Sequence, residues 1–220
     1  MPQIIQAYVT ALGGKQALAQ ITSRKAEGRV EIANRKEEGQ KFTAYWREPD
    51  LSRMNVVSDD ERIEAGFDGK AGWRESDGYS ERLGGRSLEL LLRDANPLRY
   101  ARLSELYPSV AVDSDPPEDA PKGAALIYRG PKETLRFYFD AQTHLLIEIA
   151  TQSDSDETGP RRYRFEDYRE IDGVLFPFAI REIIALPNVD PRAARIEHVL
   201  RYNKVQQNIN IAPTIFSPRR

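Results

Sequence analysis

The chain alternates between two hydrophobic periods. Ile4, Ile5, Tyr8, Val9 and Leu12 fall at helical spacing, Gly13-Gly14 interrupts, and Ala17, Leu18 and Ile21 resume the apolar stripe. This predicts a helix, a glycine break and a short second helix. From Ala26 the period becomes two, with Gly28, Val30 and Ile32 on one face and Arg29 and Glu31 on the other, the mark of a half-buried strand. Strands follow from Lys41 to Arg47 (Phe42, Ala44 and Trp46 on one face), from Ser52 to Val57 (Met54, Val56) and from Arg62 to Phe67 (Ile63, Ala65, Phe67). Asp68-Gly69 then makes a turn and Trp73 returns on the next strand.

The middle of the chain is helical. Leu88, Leu91 and Leu92 define one face of a segment that begins near Ser87 and closes at Asn96-Pro97, and a weaker helical stretch covers Leu98 to Leu106. Asp113 to Pro121, rich in prolines and acids, reads as an exposed loop. Period two then returns in Ala124, Leu126 and Tyr128, in Leu135, Phe137 and Phe139, and, after a turn at Asp140 to Thr143, in Leu145, Ile147 and Ile149. Ser153 to Gly159 is a polar loop. Tyr163 and Phe165 lead into Asp172-Gly173, a pair suited to the positive φ angles of a tight hairpin, and Phe176, Phe178 and Ile180 follow it. A last long strand lies near Ile196 to Val205.

The predicted fold is therefore mainly β with α: about ten or eleven antiparallel strands, close to the size at which an open sheet must curl strongly or close. A curled sheet has a concave face, and the helices over 3–21 and 87–106 are the material available to cover it. With 220 residues, 40% of them hydrophobic and 30% charged, the chain can bury this core as one domain over 1–220. Lys and Arg total 32 against 34 Asp and Glu, so no basic surplus points to nucleic acid. No apolar run approaches the roughly 18 residues of a spanning helix, and no charged-then-apolar signal pattern opens the chain, as expected of a mature form carrying an added start methionine. Cysteine is absent, which removes disulfides, thiolate metal sites and cysteine nucleophiles together and fits a reducing or an oxidising compartment equally.

Several short pieces occur in a telling order: Ala11-Leu12-Gly13-Gly14 followed by Ala17-Leu18, Phe67-Asp68-Gly69 with Trp73, Tyr138-Phe139-Asp140 with Thr143, Asp167-Tyr168-Arg169 leading to Phe176-Pro177, and the terminal Phe216 with Pro218. Together they resemble the LolA-like superfamily of bacterial outer-membrane lipoprotein carriers and sorting proteins. The resemblance implies a half-open antiparallel barrel whose helices plug the concave side and leave an apolar cavity. It also implies a periplasmic or cell-envelope location, a lipid, acyl chain or lipoprotein as ligand, an envelope protein as a further partner, and no cofactor and no catalysis. The inward-facing strand positions expected to line such a cavity are Trp46, Met54, Phe67, Trp73, Tyr128, Phe137, Phe139, Ile147 and Phe165, with Leu88, Leu91 and Leu92 as lid. Apolar residues at strand period are more often plain core than ligand contacts. Trp46 and Trp73 stand out, because a buried indole N–H needs a partner. The competing reading is a structural or protein-interaction module of the envelope whose concavity is filled by its own side chains.

Other chemistry is thin. His144 falls in a turn and His198 on a strand between charged neighbours, neither with a second ligand at metal spacing nor beside a serine nucleophile. The acids of Asp113 to Asp119 and Asp154 to Glu157 lack the glycine and terminal glutamate of a calcium loop and read as solvated. Gly84-Gly85-Arg86-Ser87 reads as a loop with Ser87 as helix N-cap rather than an anion cradle. Arg161, Arg162 and Arg164 read as the wet face of a strand, and Asp140, Glu148 and Asp167 form no catalytic constellation.

Overall fold

The structure is a computed structural model and describes residues 1–32, 39–57, 62–76, 79–131, 133–153, 160–185 and 195–218. Two antiparallel meanders make up the sheet. The first runs β1 (Ser23–Ile32), β2 (Gln40–Arg47), β3 (Leu51–Val57), β4 (Arg62–Phe67), β5 (Gly72–Ser76) and β6 (Tyr79–Leu83). The second runs β7 (Ala111–Val112), β8 (Gly123–Arg129), β9 (Glu133–Asp140), β10 (Leu146–Ser153), β11 (Arg161–Ile171), β12 (Val174–Ala185) and β13 (Arg195–Gln207). Pairing of β1 with β13 joins them into one sheet of 13 strands in the order β6-β5-β4-β3-β2-β1-β13-β12-β11-β10-β9-β8-β7. The sheet does not close, and β6 and β7 are its edges. These are also the two strands that periodicity does not predict: β6 is exposed along most of its length and β7 has two residues, both exposed, so neither carries an alternating pattern.

The helices follow from this topology. α1 (Pro2–Ala11) and α2 (Gly14–Ala19) precede β1 at the middle of the sheet. α3 (Gly85–Ala95), a 3₁₀ segment (Pro97–Arg102) and α4 (Leu103–Leu106) link β6 to β7, and since those strands are opposite edges the link must cross the sheet. It crosses on the concave side, with α3 against β2, β3 and β4 and the 3₁₀ segment against α1 and β12. α3 starts at Gly85, so its N-cap is Gly84 and not Ser87. It ends at Asn96, held extended (φ −144°, ψ 81°) as a residue before proline must be.

The core lies between the helices and the concave face. Tyr8 of α1 and Leu12 at its C-terminal cap, Leu91 and Ala95 of α3, and Leu98, Tyr100 and Leu103 behind them meet Phe42, Trp46, Phe137, Phe139, Phe165 and Phe176 from the strands. Ring contacts bind the layers: Tyr8 to Phe139 at 5.4 Å between centroids, and Tyr100 to Phe137 at 5.9 Å and Phe165 at 6.1 Å. Each such side chain contributes about 1.5–3 kcal/mol by burial.

Parts of the convex face are buried as well. The acidic segment expected to be a solvated loop is exposed over 114–119, but its first residue is not: Asp113 is buried and accepts from Arg136 Nε at 2.9 Å, and Arg162 pairs with the exposed Asp119. The acids from Asp154 to Glu157 lie outside the described residues. Glu148 is likewise buried and accepts from Arg164 Nε at 2.9 Å. The alternation of β11 splits the arginine cluster, with Arg162 and Arg164 facing outward and Arg161 inward to Glu182 at 2.8 Å. At the other end, a 3₁₀ turn (Pro213–Phe216) packs on β3.

Candidate functional site

Two cavities open between the concave face and its helical cover. The larger, about 560 Å³, lies where α3 and the 3₁₀ segment pass over β8 to β11. Its apolar floor is Leu135, Phe137 and Ile149, which register places side by side: Ile149 faces Phe137 across the β9–β10 pair, and Phe137 faces Leu126 across β8–β9. Tyr107 packs against Tyr128 at its wall, with ring centroids 4.9 Å apart and planes tilted by 53°. The rim is polar. Arg86 Nη2 donates to Thr151 Oγ1 at 2.9 Å and Tyr163 Oη at 3.2 Å, while Glu89 Oε1 accepts from Arg99 and from the hydroxyls of Tyr107 (3.1 Å) and Tyr100 (3.3 Å). Burial, reinforced by the charge of Glu89, raises the carboxyl pKa of Glu133 on the same rim.

The smaller cavity, about 430 Å³, lies between α2, the 3₁₀ segment and the start of β1. Val9, Leu18, Ile21, Leu98 and Ala101 give it an apolar lining, and Arg24, Trp46 and Asn96 line it as well. Arg24 and Trp46 are directly opposite across the β1–β2 pair. Arg24 is 1% exposed, donates from Nη1 to Asn96 Oδ1 at 2.7 Å, and lies over the rings of Trp46 (5.4 Å) and Phe176 (4.8 Å). Burial brings its pKa down to about 10.

The expected site residues divide accordingly. Tyr128 and Phe137 line the larger cavity and Trp46 the smaller. Met54, Leu91, Phe139 and Phe165 are core, Phe67 and Leu88 pack against that core, and Leu92 is buried outside the main cluster. Trp73 is a correction. The β4–β5 register pairs Phe67 with Gly72 and Gly66 with Trp73, so Trp73 faces the convex side. Its ring lies against Gly66, where an added Cβ would be 2.3 Å from the indole, and its Nε1 donates to the Phe216 carbonyl at 2.8 Å. Ile147 is likewise displaced: β10 shifts register between Leu146 and Glu148, so Leu145, Leu146 and Ile149 join the core while Ile147 stays half-buried outside it.

The residues that sequence reasoning missed are the polar ones. Arg24 had a visible signal, being in phase with Ala26, Gly28 and Val30 on the apolar side of β1. Arg86, Glu89 and Tyr107 had none, because their placement depends on how the crossing segment meets the sheet. Among the described residues no group of three or more metal-ligating side chains occurs, and no helix is long and apolar enough to cross a membrane.

No protein-family model matches the sequence, and no curated protein matches it. Solved structures do match the fold. A LolA superfamily protein from Nitrosomonas europaea superposes with a TM-score of 0.63 over 98% of this chain and 97% of its own, at 15% identity. An outer membrane lipoprotein-sorting protein domain from Vibrio parahaemolyticus superposes with a TM-score of 0.61 over 97% of this chain and 94% of its own, at 9% identity. At such identities the likeness is one of architecture: the strongly curled, unclosed antiparallel sheet with its concave face under helices is the LolA-like fold.

Proposed function

We propose that this chain is a non-catalytic carrier of the bacterial envelope, acting as one domain and holding a lipid, an acyl chain or the acyl part of a lipoprotein between the concave face and the crossing helices. The observation that carries this reading is the pair of cavities in that layer, each with a group of apolar side chains in its lining beside the polar ones. Their volumes fall in the range of small-molecule sites, about 300–1,000 Å³. Burying one methylene contributes about 0.8 kcal/mol, so a chain of about ten gives roughly 8 kcal/mol before ordering costs, enough for about micromolar binding. No reactive group is needed for that task. A periplasmic location follows from the same reading. The test is mass spectrometry of an organic extract of the purified protein together with titration of a fluorescent fatty acid. Acyl lipids in the extract and saturable binding are expected; clean extracts and no binding would sink the carrier reading.

One observation favours a second reading, a structural or protein-interaction module. Much of the concavity is filled by the protein's own Tyr8, Leu12, Tyr100 and Leu103. On that reading the ligand titration is flat and an envelope protein is bound instead.

A further inference from the structure

Residues lining the smaller cavity carry three buried hydrogen-bond donors for which the described residues supply no acceptor. Arg24 Nε, Trp46 Nε1 and Arg99 Nε all belong to residues lining it, all three atoms are buried, and none has a hydrogen-bond partner among the described residues. The residues themselves are deeply buried, at 1%, 7% and 5% exposure. Arg99 has a carboxylate elsewhere, since Nη1 pairs with Glu89. Among the described residues Arg24 has none: its side-chain hydrogen bond goes to a neutral amide, Asn96, and its guanidinium lies over the faces of two aromatic rings. A guanidinium out of water without a counter-charge is costly, and an unmet buried N–H adds the loss of its hydration to that cost. An oxyanion answers both deficits at once. It accepts several N–H bonds and matches the guanidinium in charge and planar geometry.

What surrounds these donors narrows the ligand further. Val9, Leu18, Ile21, Leu98 and Ala101 offer an apolar wall; of the remaining charged lining residues, Lys15, Glu48 and Glu105 are exposed, and Arg102 is half-buried and paired with Asp50 at 3.0 Å. A small free anion would leave that wall unused, and a neutral chain would leave the donors unmet. We propose that the cavity beside Arg24 binds a single-chain amphiphile with an anionic head, its carboxylate or phosphate oxygens taken by Arg24 and Trp46 and its chain lying on the apolar wall. This rests on the acyl-carrier reading and adds to it a head-group preference.

The experiment compares ligands of one chain length on the whole protein, in a Trp73→Phe background. Trp73 lies on the convex face, so in this background Trp46 is the emitting tryptophan and reports on this cavity. Dodecanoate, dodecyl phosphate, dodecanol and dodecyltrimethylammonium are titrated below their micelle thresholds. The two anions are expected to change Trp46 emission saturably and to bind about ten-fold or more tighter than the alcohol, as befits hydrogen bonds to a charged group. The tighter of the two identifies the head. Arg24→Met, similar in volume and free of the unpaired charge, is expected to bring anion and alcohol to equal affinity, with its fold checked by circular dichroism and denaturant midpoint. Should that variant not fold, the anion-to-alcohol ratio on the arginine-bearing protein decides alone. Equal binding of alcohol and anions overturns the head-group assignment and leaves the acyl carrier standing. Binding of none of the four ligands overturns both.

Discussion

Gly13 lies so close to Gly173 that a Cβ added to it would stand 2.2 Å from the Gly173 carbonyl oxygen. The contact joins the break between α1 and α2 to the turn between β11 and β12. Beside it the Leu175 amide donates to the Leu12 carbonyl at 2.9 Å. Gly13 also has φ +122°, and Asp172 and Gly173 have φ of 50° and 77°, so both partners use backbone conformations that only a few residue types tolerate. The helical hairpin is thereby anchored to one hairpin of the sheet, which sets where Tyr8 and Leu12 enter the concavity.

Gly13→Ala is therefore expected to destabilise the protein by about 3 kcal/mol, the sum of an unfavourable φ and a backbone collision that no rotamer change relieves. Gly14→Ala is the control. Gly14 also has positive φ, at +88°, but nothing lies within 4 Å of its added Cβ, so only the conformational cost of about 1–2 kcal/mol remains. Urea midpoints of the two variants check the difference; equal losses would mean that the Gly173 contact is relieved by a small shift.

The C-terminal turn closes the opposite face. Phe216 is 1% exposed, its carbonyl accepts from Trp73, and Arg53 Nη1 donates to the Ile215 carbonyl at 2.7 Å from beneath the same turn. Phe216→Ala is expected to cost about 3–5 kcal/mol, as large-to-small changes at fully buried aromatic sites do. It should also wet Trp73, shifting its emission to the red when recorded in a Trp46→Phe background. An unshifted spectrum would mean that the turn stays seated without its ring.

Trp73 also marks the limit of what could be read from the chain. Every strand with a solvated or core-facing alternation was legible, as were both helical segments and the Asp172-Gly173 turn. Which face a residue takes depends on register, and the β4–β5 turn places Gly72, not Trp73, on the side of Phe67. A slip of one residue reverses a strand's faces. The bulge at Leu146–Glu148 does the same to Ile147, and no pattern in the sequence announces it. Polar alternation misled in another way. Glu148, Asp113 and Trp73 occupy a face that ought to be wet, yet all three are buried, the carboxylates against arginines of neighbouring strands and Trp73 against the distant Phe216. The cavities were less legible still, since they are spaces left by the crossing segment, and only Trp46, Tyr128 and Phe137 among the expected residues reach them.

Glu182 links β12 to the inner surface of β11 and β13. Arg161 Nη1 lies 2.8 Å from its Oε1 and His198 Nδ1 3.6 Å from its Oε2. Burial alone would raise its pKa; the interactions with His198, Arg93 and Arg161 outweigh burial and bring it from 4.5 down to about 2. The folded pKa lies below the unfolded one, so the stabilisation is complete above about pH 4.5 and is lost as pH falls toward 2. It amounts to about 3 kcal/mol at neutral pH. Glu182→Gln should lower stability at pH 7 and flatten its decline between pH 5 and 2, measured by denaturant midpoints across that range. A variant whose acid limb matches the parent's would show that other carboxylates govern it.

Leu90 projects from α3 to the larger cavity, where it is half-buried and lines the space above Leu135 and Phe137. The cavity holds about 560 Å³, so a larger side chain at this position has room to turn inward without displacing the core beneath. Leu90→Trp is thus expected to change stability by no more than about 1 kcal/mol, unlike overpacking of a filled core, which costs about 1–3 kcal/mol. It should weaken binding of an uncharged acyl probe about ten-fold, because the indole takes the place of the chain and roughly 1.4 kcal/mol of apolar contact is lost. Isothermal titration and a denaturant midpoint on the same preparation separate the two effects. Undiminished binding by a stable variant would remove this cavity from the acyl path; weakened binding together with a large loss of stability would mean that the cover over Phe137 is part of the core rather than a lid.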